Sequence, residues 1–354
     1  MRAAMTKEGL FVEIAPLDAG AMRRARVRQA RLTKPPGSLG RLEALSIQAA
    51  GILGSERPDP RGKVVIVAAG DHGVVAQGVT AYPQAVTAQM VLNFLAGGAA
   101  VCAMARQAGV RLLVVDAGVA GDLPRHAELR RLGIGRGTND ITQGPAMTRA
   151  QAERCIAEGV ALAEGERDAA MIGAGDMGIG NTTASSAITA AMTGEAASRT
   201  TGRGTGRNAE ELAWKVGVVE QALAVNAPDA RDAIGVLAKV GGFEIGVLAG
   251  VMLGAAAQGK IVVLDGFISG AAALLACGIV PRAREYMVAS HRSAERGHRA
   301  VLRHLRLQPV LDLQMRLGEG TGAVLAMGVV EAACACLREM ATFDEAGVTD
   351  RETE

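Results

Sequence analysis

A chain of 354 residues is long enough to bury a sizeable core, either as one large α/β domain or as two unequal ones. Its formal net charge is +2 with acids and bases interspersed, which offers no basic face to nucleic acid and argues for small-molecule partners. Apolar residues make up 49% but aromatics only 2%, so Ala, Val, Leu, Ile and Met must fill an interior of helices packed closely on a sheet.

The mean hydropathy is positive, yet the most apolar stretches, Ile245 to Ala257 and Gly270 to Val280, fall short of the roughly 20 residues a membrane span needs. They read as buried core helices, and no membrane association is expected. The amino terminus mixes Arg2, Lys7 and Glu8 without an apolar run and cleavage site, so no export signal is expected and a cytoplasmic location is. The five cysteines are odd in number and lack metal-ligand spacing, and read as reduced core residues.

In chain order, the first 60 or so residues read mainly as helix, with no convincing strand. Strand candidates then follow at Lys63 to Ala69, Arg111 to Val115, Asp168 to Ile172 and Lys260 to Leu264, each leading into a Gly and Asp turn. Helix candidates lie between them: Val86 to Gln107, interrupted by Gly97-Gly98; Arg149 to Glu164, opened by the capping pair Thr148 and Gln151; Asn181 to Met192; Ala209 to Val225; and Phe243 to Ala257. The tail from Gly322 to Met340 is again helical, with no strand. Apolar strands alternating with helices predict a doubly wound, mostly parallel, Rossmann-like α/β sheet with helices on both faces. Residues 61–321 form the large α/β domain, and residues 1–60 and 322–354 a small helical one. Ligands in such sheets bind beyond the carboxyl ends of the strands, where the Gly and Asp turns cluster.

The turn Gly173 to Gly180 followed by Asn181-Thr182-Thr183 is the sharpest local feature, because glycines admit a ligand close to backbone and a helix start attracts phosphate. Its alternative is tight packing, with Asn181 and the threonines as caps. A second glycine cluster, Thr201 to Gly206, includes Gly204 and precedes Lys215, either a phosphate partner or a solvated side chain. Asp71-His72, Asp265 and Ser290-His291 sit at strand ends, as acid/base or metal groups, though without zincin-type spacing, or as turn and capping residues. Glu319, flanked by Gly318, Gly320 and Gly322, is either a solvated loop residue or a base with room for a planar substrate.

Six segments together resemble the nicotinate-nucleotide:dimethylbenzimidazole phosphoribosyltransferase family. They are Lys34 to Glu43, Asp71 to Val74, Gly178 to Thr183, Lys239 to Phe243, Leu264 to Phe267 and Met315 to Gly320, in this order. The resemblance covers most of the chain and implies a Rossmann-like body, a small helical domain from both ends and a homodimer. It further implies transfer of phosphoribose from nicotinate mononucleotide to 5,6-dimethylbenzimidazole in cobalamin lower-ligand assembly, with no cofactor or metal. Glu319 matches the family's general base, and Gly178 and Lys215 match its phosphate positions. Asn181, Thr182, Thr183, Gly204, Asp71, His72, Asp265, Ser290, Gly318 and Gly320 are expected around the substrates, with Tyr82, Gln89 and Met90 in the base-binding segment. Two departures stand out: Asp176, expected as a second catalytic carboxylate beside Glu319, replaces a Glu and is shorter by one methylene, and the segment after Val79 does not match the family's polar base contacts.

Overall fold

A computed structural model of the chain describes residues 3–6, 9–204 and 208–349. A hairpin of β1 (Ala3–Thr6) and β2 (Gly9–Val12) opens the chain, followed by helices α1 (Ala19–Arg31) and α2 (Arg41–Leu53). The hairpin corrects the expectation of an amino-terminal segment without strands. Its four-residue strands are too short to show alternation, so pairing alone defines them.

Next come β3 (Lys63–Gly70), α3 (Ala85–Leu95), α4 (Ala100–Ala108), β4 (Arg111–Gly118), β5 (Leu129–Arg131), α5 (Arg149–Gly165) and β6 (Met171–Met177). Five helices precede the next strand: α6 (Asn181–Thr193), α7 (Ala197–Thr200), α8 (Ala209–Asn226), α9 (Ala233–Val240) and α10 (Phe243–Ala257). The chain closes with β7 (Ile261–Leu264), α11 (Phe267–Ile279), β8 (Met287–Ala289), α12 (Arg296–Leu305), α13 (Thr321–Glu339) and α14 (Phe343–Ala346).

The six strands β5-β4-β3-β6-β7-β8 form one wholly parallel sheet. From β3 the chain winds outward to β4 and β5, then returns to lay β6 on the other side of β3. That reversal opens a crevice at the carboxyl ends of β3 and β6, where ligands bind in such sheets. The sheet's middle is dry: every β3 residue from Val64 to Gly70 is buried. Helices α10 and α11 pack against it, as do α3, α4 and α13. Both α10 and the first ten residues of α11 are buried, as their composition requires.

Strand β6 departs from the sequence reading. It begins at Met171 rather than Asp168 and runs through Gly173 and Gly175, which read as turn. Packing explains these glycines: a Cβ on Gly175 would stand 2.5 Å from the Glu319 carbonyl oxygen, and one on Gly173 2.8 Å from Val65 Cγ2. The short strands β5 and β8 had no sequence signal of their own.

Helices from both ends of the chain meet. Arg28 in α1 donates to the carbonyls of Leu337 and Met340 at 2.8 and 2.7 Å, and α13 packs on α1, α2, β3, β6 and β7. Helix α13 has the length and apolar composition of a membrane span, but here it lies against this sheet. The comparable run Ala85–Ala108 is broken between α3 and α4, at the glycine pair.

Candidate active site

The crevice holds a cavity of about 700 Å³. Its wall takes Asp176 to Ile179 from the end of β6, Asn181 and Thr182 from the start of α6, and Arg316 to Glu319 from the loop before α13. Tyr82, Val86 and Met90 close one side, Gly266 to Ile268 another, and Gly204, His291, Ser293 and Glu295 complete it.

At one end Gly180 adopts φ 97° and turns the chain into α6, whose first N–H groups have no side-chain cap. Ile179 N–H donates to Thr87 Oγ1 at 3.1 Å, which pins the turn. Gly178 must lack a side chain, because a Cβ would stand 2.3 Å from the Gly70 carbonyl oxygen across the crevice. Lys215 on α8 stands just behind the cavity lining: its buried ammonium donates to Thr182 Oγ1 at 2.7 Å and lies beside Gly204. A helix start and a buried ammonium together make an anion site.

Glu319 is 6% exposed and adopts φ 64°, a left-handed conformation uncommon outside glycine, between Gly318 and Gly320 at φ 83° and 90°. Its N–H donates to the Asp176 carbonyl at 3.2 Å, and its Oε2 accepts from Val101 N–H at the first turn of α4 at 3.5 Å. Burial raises the Glu319 carboxyl above its ordinary range, with the Val101 N–H opposing.

Asp176 accepts from Asn181 Nδ2 at 3.0 Å through Oδ2, while its Oδ1 has no partner among the described residues. Burial first, then the charges of Asp265 and Glu244, push it well above the usual carboxylate range; Asn181 opposes, and Glu319 adds to the rise.

Of the expected site residues, Asp176, Gly178, Asn181, Thr182, Gly204, Tyr82, Met90, Gly318 and Glu319 line the cavity together. The others stand off the wall. Asp265 is buried and takes the N–H groups of Gly322 and Ala323 at 2.7 and 3.1 Å, with Gly320 N–H at 3.3 Å. It thereby caps α13 and holds the Glu319 loop. Ser290 donates to the Asp265 carbonyl at 2.6 Å. Asp71 takes Ala120 N–H at 2.8 Å, and His72 pairs with Glu244, so both brace the crevice from behind. Gln89 is exposed beside Met90, Thr183 is buried in α6, and Gly320 opens α13. Thr205 and Gly206 of the second glycine cluster lie outside the described residues.

Sequence reasoning left Arg316, Ser293, Phe267 and above all Glu295 out of the site, and named His291 only as an acid/base candidate beside Ser290; all five line the cavity. Arg316 stood inside a quoted motif and was legible; Glu295 stands among ordinary charges of a helix start, with no local signal.

A switch-point cavity that holds both an anion site and a buried carboxylate suits a phosphoribosyltransferase. A family model described as Phosphoribosyltransferase matches residues 14–348. The nicotinate-nucleotide:dimethylbenzimidazole phosphoribosyltransferase of Roseiflexus sp. (strain RS-1) is 57% identical over 343 residues, covering 96% of this chain and 97% of that protein. The protein of the same name from Chloroflexus aurantiacus (strain ATCC 29366 / DSM 635 / J-10-fl) is 57% identical over 341 residues, with the same coverage. A crystal structure of the Thermus thermophilus protein so named superposes with a TM-score of 0.90 at 45% identity, covering 95% of this chain and all of that one. This chain belongs to the nicotinate-nucleotide:dimethylbenzimidazole phosphoribosyltransferase family.

Proposed function

We propose that this chain transfers phosphoribose from nicotinate mononucleotide to 5,6-dimethylbenzimidazole, giving α-ribazole 5'-phosphate and nicotinate for the lower ligand of cobalamin. The observation that carries the reading is the single cavity shared by Glu319 and the anion site at Gly178 to Thr182. The donor phosphate sits at the α6 start near Lys215, and the acceptor base lies between Glu319 and the apolar side made by Tyr82, Val86 and Met90.

The chemistry follows from the groups present. A neutral ring nitrogen attacks the ribose carbon on the face opposite nicotinate, which inverts the centre. The resulting azolium sheds its other N–H proton, and an ionised Glu319 stabilises that developing charge and accepts the proton. Nicotinate leaves from a pyridinium, so its departure neutralises a positive charge and calls for no metal. Asp176, whose carboxyl burial pushes well above the usual carboxylate range, is the second acid of the cavity and accepts from Asn181 beside the α6 start.

The same reading carries a homodimer in the cytoplasm and a small domain formed by residues 1–60 and 322–354. Sedimentation of the purified chain tests the dimer. For the reaction, the protein is incubated with nicotinate mononucleotide and dimethylbenzimidazole, and α-ribazole phosphate is followed by chromatography. No product with any of several benzimidazoles, purines or phenols would sink the reading.

A further inference from the structure

Glu295 is the N-cap residue of α12, yet its side chain makes no capping hydrogen bond. The carboxyl turns instead into the cavity wall it shares with Thr182, Gly204 and Arg316. It is 8% exposed, and its Oε2 has no hydrogen-bond partner among the described residues. Gly202 makes room for it, since a Cβ there would stand 2.1 Å from Oε2. A buried acid with an unused oxygen therefore sits at the cationic end of the cavity.

The charges around it define its task. Lys215 from α8 and Arg316 from the loop before α13 both attract it, and Arg316 is anchored by a 2.9 Å hydrogen bond to the Gly204 carbonyl. His291 faces the cavity from the segment after β8, and His298 lies behind it in α12, taking Ser293 N–H on Nδ1. Burial keeps both imidazoles neutral, lowering His291 and pushing His298 down to about 3. Asp176 and Glu319 line the same cavity, Asp176 beside Asn181 at the α6 start. Glu295 thus faces two cations that draw its carboxyl down against the larger upward push of burial.

A phosphate near −2 brought to the same two cations changes that balance. Two anions in one desolvated patch repel, and the cheapest relief is protonation of the carboxylate, which burial already favours over its ordinary state. We propose that Glu295 is an internal counter-anion of the donor-phosphate pocket, and takes up a proton when the phosphate enters. The inference rests on placing the donor phosphate at this end of the cavity. It makes donor affinity fall as the pH rises above the phosphate's second pKa of about 6, where the phosphate's own charge no longer changes.

Calorimetric titration of the whole protein with nicotinate mononucleotide, at pH 7.5 in buffers of different ionisation enthalpy, reads the linked proton directly. Wild type should take up a fraction of a proton that Glu295→Gln does not. The variant should also bind the donor about tenfold more tightly at pH 8, because the competing anion is gone. A second arm needs no mutation: nicotinate riboside, which lacks the phosphate, should bind wild type with no linked proton. Equal uptake in wild type and variant, or equal uptake with nucleotide and riboside, overturns the inference. Failure of the nucleotide to bind at all instead removes the reading of the cavity on which it rests.

Discussion

His72 Nε2 lies 2.7 Å from Glu244 Oε1, with the two side chains 1% and 0% exposed. Burial works against charge on His72, but Glu244, assisted by Asp71, holds it above the ordinary imidazole range. Breaking such a pair strands the other charge, so Glu244→Ala should cost about 3–5 kcal/mol in urea unfolding. The sign with pH follows from the raised value. The pair's contribution is complete below the unfolded histidine pKa of about 6.5 and is lost as the pH climbs through the higher folded value. Urea midpoints of wild type should therefore fall on that alkaline side, and those of His72→Asn should lack this limb. Parallel profiles for the two proteins would leave the pair without this role.

Glu319→Gln keeps the shape of the side chain and removes its capacity to accept a proton. Turnover should drop by at least the ~10²-fold typical of a lost general base, while donor binding changes little. Because burial raises this carboxyl, the acid limb of the kcat/KM profile should lie above the ordinary carboxylate range. Activity is expected to fall as the pH is lowered through that value, as the base becomes protonated. Unchanged turnover in the variant would remove Glu319 from its assigned role.

Gly175 tests how tightly β6 holds the loop of Glu319. An alanine Cβ would meet the Glu319 carbonyl oxygen at 2.5 Å and the Gly320 nitrogen at 3.0 Å, backbone atoms that cannot rotate away. Gly175→Ala should cost about 1–3 kcal/mol by overpacking and lower kcat more than it alters donor KM. Circular dichroism melts and steady-state kinetics on one preparation separate the two effects. Wild-type kcat in a folded variant would mean that the loop tolerates displacement.

Much of the architecture was legible because strands and helices wrote their periods plainly. Phe243–Ala257 has the bounds expected, and Thr148 and Gln151 close the capping box before α5. Sequence went wrong where one residue type serves two purposes. Gly173 and Gly175 look like a turn but are strand positions emptied for α13 and its loop, a demand from residues some 150 positions away. The site divided along the same line. Gly178, Asn181, Thr182 and Glu319 carried motifs and line the cavity, whereas Asp265 shares their appearance but caps α13. Glu295 carried no motif, because only the fold brings it to Lys215 and Arg316.

The backbone of Glu319 supplies a last prediction, which sets function against stability. At φ 64° a side chain with a Cβ is strained by about 1–2 kcal/mol, and here the side chain is also a carboxylate taken out of water. Glu319→Gly relieves both costs, while the freer unfolded glycine gives back about 0.4–1 kcal/mol. Glu319→Asn tolerates the left-handed conformation and avoids that entropic loss. Both variants should be inactive yet unfold at urea concentrations equal to or above wild type, as expected where a residue is kept for chemistry. A clear loss of stability in both would mean that the contact with Val101 N–H supports the fold, and that the strain at Glu319 is repaid locally.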